Sequence, residues 1–220
     1  MPDRIVIMQP YFVPYAGYFR LFAASDLFVI YDDVQFPRAG YVHRNRLPDT
    51  LGRSAWLTLP LVKSPVVTPI DRMIFAADCR TRFELAMRRF PALAKGGTHP
   101  LLDALRRVKP GGGLVDYLAE TLLQSCATLK LPCNVIRSSS LVVEPGLRGV
   151  ERLIAITRLM GAKQFVNASG GRQLYEMESF RRHGIRLRFL DDYRGPNWSI
   201  LYRLLTESPA TLRREIFEQV

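Results

Sequence analysis

Continuous apolar runs alternate with stretches of helical spacing, and the first such unit lies at the start of the chain. Residues 5–8 (IVIM) form an uninterrupted apolar run, which is typical of a strand buried on both faces. Residues 9–16 contain two prolines and predict a loop, residues 17–24 have helical spacing, and residues 27–31 (LFVIY) form a second buried-type run. A strand, a short loop, a helix and a strand within about 30 residues predict a βαβ unit, whose crossover makes the two strands parallel.

The same alternation returns in the last third of the chain. Residues 149–160 predict an amphipathic helix, and residues 164–167 (QFVN) and 185–190 (IRLRFL) predict strands. Between the two regions, residues 80–130 have mostly helical spacing. The pattern therefore predicts a single α/β domain over residues 1–220, an open and mostly parallel Rossmann-like sheet with residues 80–130 as a helical insertion or lid.

Composition narrows the class of protein. With 220 residues, 48% hydrophobic and 23% charged, the chain has ordinary globular usage, which excludes wholesale disorder. Apolar runs fall short of the roughly 18 residues of a membrane span, and the N-terminus has no secretory pattern. Cys79, Cys126 and Cys133 are widely spaced, so neither a disulfide framework nor a metal site is predicted. These features predict a reduced, cytoplasmic protein without a membrane span.

The net charge of +11 comes mainly from arginine, since only five of the 31 basic residues are lysine. Arginine recognises phosphate and carboxylate groups through paired hydrogen bonds, so the surplus predicts a small-molecule ligand that is anionic or bears phosphate. A GC-rich genome is the alternative source of the same bias. Nucleic acid is the less favoured partner, because the chain has few lysines and no strand motif that interleaves basic and aromatic residues.

The candidate chemistry lies in three polar, aromatic-rich loops that follow predicted strands, where ligands of doubly wound sheets bind. These loops are residues 9–17, 32–46 and 167–172. Asp33 or His43 is the candidate general base, and Tyr18 is a candidate hydrogen-bond donor in catalysis. The candidate substrate-binding residues are Gln9, Tyr11, Tyr15, Asp32, Gln35, Arg44, Asn45, Arg46, Asn167, Ser169, Gly170, Gly171 and Arg172. This hypothesis requires Tyr18, Asp33 and Asn167 to face one pocket walled by arginine.

Each group also has a purely structural interpretation. Asp32 and Asp33 are typical of a solvated turn or a helix cap, His43 is typical of a surface loop, and the loop tyrosines are typical packing residues. The turn over residues 169–171 can present backbone N–H groups to an anion, but it is equally typical of a tight turn that needs positive φ.

Several segments resemble the WbqC-like family: residues 5–19 (IVIMQPYFVPYAGYF), 28–36 (FVIYDDVQF), 43–46 (HRNR), 56–60 (WLTLP) and 167–175 (NASGGRQLY). The resemblance covers nearly the whole chain. It implies an enzyme of bacterial O-antigen or related polysaccharide biosynthesis, a group transferase that moves an acyl or aminoacyl group such as glycyl onto an amino sugar or similar amine. The acyl donor is then expected to be a thioester of CoA or of an acyl carrier protein, or the acid with ATP.

A fainter similarity of architecture links the first βαβ unit to the nucleotidylyl transferases, the superfamily of pantothenate synthetase. At the positions of the two histidines in their His-x-Gly-His signature, this chain has Tyr15 and Tyr18. Tyrosine can donate a hydrogen bond to phosphate but carries no positive charge near neutral pH. A nucleotide-binding enzyme of that kind is the first alternative, and a non-enzymatic, basic nucleic-acid-binding module is the second.

Overall fold

A parallel sheet forms the centre of the protein in the computed structural model, which describes residues 1–95 and 97–220. Five strands of this described part make up the sheet: β1 (Arg4–Met8), β2 (Leu27–Ile30), β5 (Val135–Arg137), β6 (Gln164–Asn167) and β7 (Arg186–Phe189). Their order is β5-β2-β1-β6-β7, and all neighbouring pairs are parallel. Beside the sheet, β3 (Arg44–Pro48) and β4 (Ser54–Thr58) form an antiparallel hairpin. The predicted open, mostly parallel α/β fold is confirmed.

Helices cover both faces of this sheet. They are α1 (Ala16–Ala23), α2 (Cys79–Met87), α3 (Pro91–Lys95), α4 (Pro100–Leu105), α5 (Leu114–Leu129), α6 (Gly149–Leu159), α7 (Met177–Arg181), α8 (Ile200–Thr206) and α9 (Pro209–Phe217). The segment 80–130 contains most of α2 and all of α3 to α5, while Gly96 within it lies outside the described residues. Its role as an insertion or lid stays a prediction. Among the helices described, none has the length and apolar character that crossing a bilayer requires.

The apolar runs of the strands explain the two helical layers. Successive side chains of a strand point to opposite faces, so a wholly apolar strand needs cover on both sides. Val6 packs into a core with residues of α1, α5, α8 and α9, whereas Ile5 and Ile7 pack into a second core with residues of α6 and α7. The sheet is therefore buried from both faces, as the continuous runs predict.

The strand order creates a crevice between β1 and β6. These strands are parallel neighbours, with Ile5 opposite Phe165. The chain leaves β1 towards α1 on one face of the sheet and leaves β6 towards α7 on the other face. Because the two connections diverge, the carboxyl ends of β1 and β6 flank an open crevice, the switch point at which doubly wound proteins bind ligands.

A buried arginine joins the two C-terminal helices. The Arg203 side chain is 4% exposed, and its Nη2 donates hydrogen bonds to Glu207 Oε2 (2.6 Å) and to Glu215 Oε2 (2.7 Å). Its Nη1 donates to the hydroxyl of Tyr193 (2.9 Å), whose ring packs edge-on against Tyr15. The hydrogen bond from Arg203 lowers the pKa of Glu215 below its ordinary value of 4.5. This cluster therefore supports a residue of the loop that follows β1.

We expect the Arg203→Met substitution to destabilise the fold, because it leaves Glu207 and Glu215 facing each other without a cation. The free energy of unfolding should fall by about 3 kcal/mol. The control Arg214→Met removes an exposed arginine of α9 and should change the free energy of unfolding by less than about 0.5 kcal/mol. Denaturant-induced unfolding measures both values, and equal losses in the two variants would contradict the role of Arg203.

The same ion pair predicts a pH dependence. A carboxyl whose pKa is lower in the folded than in the unfolded state stabilises the fold above the unfolded value and loses this contribution as the pH falls through the folded value. The stability difference between the wild type and Arg203→Met should therefore be constant near neutral pH and narrow as the pH falls below 4.5, the ordinary pKa of Glu215. Unfolding curves recorded across this range check it, and a difference that persists in full in strong acid would exclude the pair as its source.

Candidate functional site

A cavity of about 700 Å³ occupies the crevice between the carboxyl ends of β1 and β6. One wall comes from the end of β1 and the loop that follows it, and the opposite wall comes from residues 167–171 after β6. Tyr31, directly after β2, and Tyr41, ahead of β3, also line the cavity. The first and third of the three candidate loops, those after β1 and β6, thus meet at one site.

Hydrogen-bonding but uncharged side chains dominate the lining. They are the tyrosines Tyr11, Tyr15, Tyr18, Tyr31, Tyr41 and Tyr175, the amides Gln9, Asn45, Asn167 and Asn197, and Ser169. Among the described residues that line the cavity, none is Asp, Glu, His, Lys or Arg. Burial raises the pKa of Tyr11, Tyr15 and Tyr18 above the ordinary value of 10, and that of Tyr31 to about 12. The cavity is therefore lined by side chains that carry no formal charge at physiological pH.

Tyr18 fixes the start of the loop that follows β1. Its hydroxyl donates a hydrogen bond to the backbone oxygen of Gln9 (2.8 Å), and its ring packs against Tyr11 and Phe28. The residue is 3% exposed. The predicted hydrogen-bond donor therefore faces the cavity, with its hydroxyl already engaged by the wall.

Asn45 holds the middle of the same loop. Its Nδ2 donates hydrogen bonds to the backbone oxygens of Phe12 (3.0 Å) and Val13 (2.8 Å), and Ser199 Oγ donates to the same Val13 oxygen (2.6 Å). Val13 has φ +36°, a conformation that costs a β-branched residue about 1–3 kcal/mol. The hydrogen bonds from Asn45 and Ser199 maintain this strained loop, and with it the shape of the cavity wall.

The glycine-rich turn after β6 forms the opposite wall. Asn167 Oδ1 accepts a hydrogen bond from Ala168 N (2.8 Å), and residues Ser169–Gly171 make a 3₁₀ turn. The N–H groups of Ser169 and Gly170 have no acceptor in the described part of the chain. Neither Gly170 nor Gly171 has a positive φ, contrary to the tight-turn interpretation. The turn instead presents two free backbone donors beside the cavity.

Both aspartates after β2 lie outside the cavity lining. Asp32 is fully buried, and its carboxylate accepts hydrogen bonds from Ser139 N (2.9 Å), Ser139 Oγ (2.8 Å) and Ser138 Oγ (3.0 Å). Asp33 pairs with Arg152 and also contacts Ser138 Oγ (2.6 Å). These partners tie β2 to the turn after β5 and to α6. The assignment of Asp33 as a general base stays a prediction.

His43 and Gln35 are likewise absent from the lining residues. The His43 ring packs against Phe36, and its Nδ1 is buried without a hydrogen-bond partner. Burial lowers the pKa of His43 to about 4, so its imidazole is neutral at physiological pH. Gln35 Nε2 donates to the backbone oxygen of Val66 (3.0 Å). The catalytic role of His43 and the binding role of Gln35 stay predictions.

The predicted arginines do not wall the cavity either. Arg44 and Arg46 lie against the ring of Trp56, and Arg172 pairs with Asp191 (3.0 Å). The sequence predicts a pocket walled by arginine, whereas the lining of the observed cavity contains no arginine among the described residues. The three guanidinium groups lie outside the cavity, where the Trp56 ring and the Asp191 carboxylate hold them.

Four hydrogen-bonding residues of the lining are absent from the candidates named from the sequence: Tyr31, Tyr41, Tyr175 and Asn197. The first three could have been found from the sequence, since each lies within three positions of a candidate residue. Asn197 lies ahead of α8, far from the loops after the strands in sequence. Only the packing of the C-terminal segment against the loop after β1 brings it to the site, through the bridge between Tyr15 and Ser199.

The strand order and the cavity at the switch point define a doubly wound α/β protein. A family model described as the WbqC-like protein family matches residues 9–203, so the chain belongs to this family. The matched range includes the loop after β1, the β3–β4 hairpin and the turn after β6. The resemblance seen in the sequence is therefore confirmed.

One curated relative is the uncharacterized protein Rv1507c of Mycobacterium tuberculosis strain H37Rv, to which the chain is 38% identical over 58 residues. The alignment covers 26% of this chain and 25% of the relative, so the matched part spans about a quarter of the relative's length. No solved structure matches the chain.

The two glycines of the turn after β6 make a matched pair of variants. A Cβ at Gly171 would lie 2.7 Å from Asn167 Nδ2, whereas a Cβ at Gly170 would meet no atom within 4 Å. We expect Gly171→Ala to lower the free energy of unfolding by about 1–3 kcal/mol through overpacking. Gly170→Ala should change it by less than about 0.5 kcal/mol. Thermal unfolding compares the two, and similar melting temperatures would show that Asn167 does not fix this turn.

Proposed function

We propose that the protein transfers an acyl or aminoacyl group onto the amine of an amino sugar in the biosynthesis of a bacterial surface polysaccharide. The observation that carries this proposal is the neutral cavity lined by tyrosines and side-chain amides at the switch point. A sugar offers hydroxyl groups, which amides such as Asn167 and Gln9 can bind, and less polar ring faces, which tyrosines can cover. Pockets of this size with a few placed polar groups are typical small-molecule sites.

The free backbone donors beside the cavity suit acyl transfer. The amine nitrogen attacks the carbonyl carbon of a thioester, a C–N bond forms, the C–S bond breaks, and the thiol leaves with the proton that the amine loses. Negative charge develops on the carbonyl oxygen in the transition state. The N–H groups of Ser169 and Gly170 have no protein acceptor in the described chain and can stabilise this charge.

The uncharged lining limits how the attacking amine can lose its proton. The described lining contains no carboxylate, histidine or lysine that could accept a proton at neutral pH. The acceptor amine must then bind in its unprotonated form, and the rate enhancement comes from orientation of the two substrates and from oxyanion stabilisation. Under this proposal, Asp33 and His43 stabilise the loops and do not contact the reacting atoms.

Amide formation tests the proposal directly. The purified protein is incubated with glucosamine and an acyl or glycyl thioester of CoA, and the product is detected by mass spectrometry. We expect Gly170→Leu, which adds a bulky side chain at a glycine of the lining, to slow the reaction about tenfold or more. Gln173→Leu, an exposed residue of the same segment outside the lining, is the matched control. Absence of the amide with all donors tried, or equal rates in the two variants, would refute the proposal.

The pH profile of the reaction is a second prediction. Because burial lowers the pKa of His43 to about 4, its imidazole does not titrate between about pH 5 and 8. We expect kcat/KM to rise with pH as the acceptor amine loses its proton, with the same profile in the wild type and in His43→Gln. Steady-state rates across this range measure the profile. An inflection that disappears in His43→Gln would instead identify this histidine as the base.

A nucleotide-binding enzyme of the nucleotidylyl-transferase type is the second candidate, favoured by a sheet order that nucleotide-binding folds also use. The first turn of α1 argues against it. A Cβ at Gly17 would collide with the rings of Tyr15 and Tyr193, so aromatic rings cover the helix start where a phosphate would bind. A thermal shift produced by ATP or CTP and abolished in Tyr15→Ala would favour this candidate.

A further inference from the structure

Two arginines flank a tryptophan on the β3–β4 hairpin. Arg44 and Arg46 alternate with the buried Asn45 along β3, so they share the face of the hairpin that Asn45 does not. The Cζ atoms of Arg44 and Arg46 lie 4.3 and 4.6 Å from the centroid of the Trp56 ring. We call Arg44, Arg46 and Trp56 the Arg–Trp cluster.

The two cations of the Arg–Trp cluster are held in place but not neutralised. Arg44 Nη2 donates a hydrogen bond to the backbone oxygen of Ala39 (2.8 Å), and both guanidinium groups gain cation–π attraction from Trp56. Within the described residues, no carboxylate lies within 4.0 Å of either group, whereas Arg53 of the same hairpin pairs with Asp49. Two like charges beside one ring repel each other, and an anion bound to both would remove that repulsion.

Aromatic rings connect the Arg–Trp cluster to the cavity. The Trp56 ring lies 5.6 Å from the Tyr41 ring, which lies 5.8 Å from the Tyr11 ring. Tyr41 and Tyr11 both line the cavity, and Tyr41 is 42% exposed at its rim. A ligand that fills the cavity and extends past Tyr41 therefore reaches the two guanidinium groups.

We infer that the Arg–Trp cluster binds the phosphate or diphosphate of the substrate whose sugar occupies the cavity, so that the acceptor is a phosphate-linked amino sugar. The sugar half of this inference rests on the proposed function, while the phosphate half rests on the cluster. Guanidinium groups bind phosphate oxygens through paired, charge-assisted hydrogen bonds, and fixing them beforehand lowers the entropy cost of binding. The neutral lining and the unpaired cations outside it match a ligand with one neutral end and one anionic end.

Calorimetric titration of the full chain with inorganic pyrophosphate tests the phosphate half without any assumption about the sugar. The double variant Arg44→Met/Arg46→Met removes both charges and keeps apolar side chains over Trp56. The control Arg53→Met/Arg72→Met removes two exposed arginines with the same change in net charge. We expect the first variant to bind pyrophosphate about tenfold or more weakly than the wild type, and the control to stay within about twofold. Equal weakening in both variants would overturn the inference.

Titrations with larger ligands assign the anion to the sugar substrate. We expect uridine diphosphate glucosamine to bind at least about tenfold more tightly than glucosamine, and this advantage to vanish in Arg44→Met/Arg46→Met. If CoA instead depends on the two arginines and uridine diphosphate glucosamine does not, the anion belongs to the acyl donor and the inference is wrong. Loss of acyl transfer with intact, arginine-dependent binding of pyrophosphate would count against the proposed function and leave the phosphate site standing.

Discussion

The parallel pairing of β1 with β6 is the constraint on which the site depends. With α1 on one face of the sheet and α7 on the other, the chain must diverge where these strands end, and the crevice is the space between the two connections. The rest of the chain shapes this space. Asn45 holds the strained Val13 in the loop after β1, and Arg203 supports Tyr15 of the same loop through Tyr193. The β3–β4 hairpin and the helices α8 and α9 thus stabilise the conformation of the loop after β1.

The charged side chains near the cavity lie outside its lining. Asp33 is paired with Arg152, Arg172 is paired with Asp191, and the lining that the structure describes is left to tyrosines and amides. Hydrogen-bonding groups of this kind select a ligand by the positions of its donors and acceptors, since a neutral polar group left unpaired in the site is costly. Chemistry in such a site relies on orientation and on fixed dipoles more than on proton transfer by side chains. The arginines on Trp56 then extend recognition to charged groups beyond the rim.

The sequence predicts the fold well because its signals are local. Uninterrupted apolar runs identify β1 and β2, and the parallel arrangement follows from the βαβ spacing. The strand β3 (RNRLP) escapes prediction because polar residues dominate it and only pairing with β4 makes it a strand. In the site, Tyr18 and Asn167 are predictable because strand ends of a parallel sheet share one edge. Side-chain direction is not predictable in this way, since Asp33 turns towards Arg152, a partner 119 positions along the chain.

An NMR titration that follows side-chain amide resonances tests most directly whether the cavity at the switch point takes an amino sugar. Gln9, Asn167 and Asn197 line the cavity, whereas Asn134 donates to the backbone oxygen of Asp26 at the opposite end of the sheet. On addition of glucosamine, the resonances of the three lining amides should shift together and saturate with one dissociation constant, while that of Asn134 stays in place. Shifts confined to other amides, or no saturable shift in the lining set, would contradict the account.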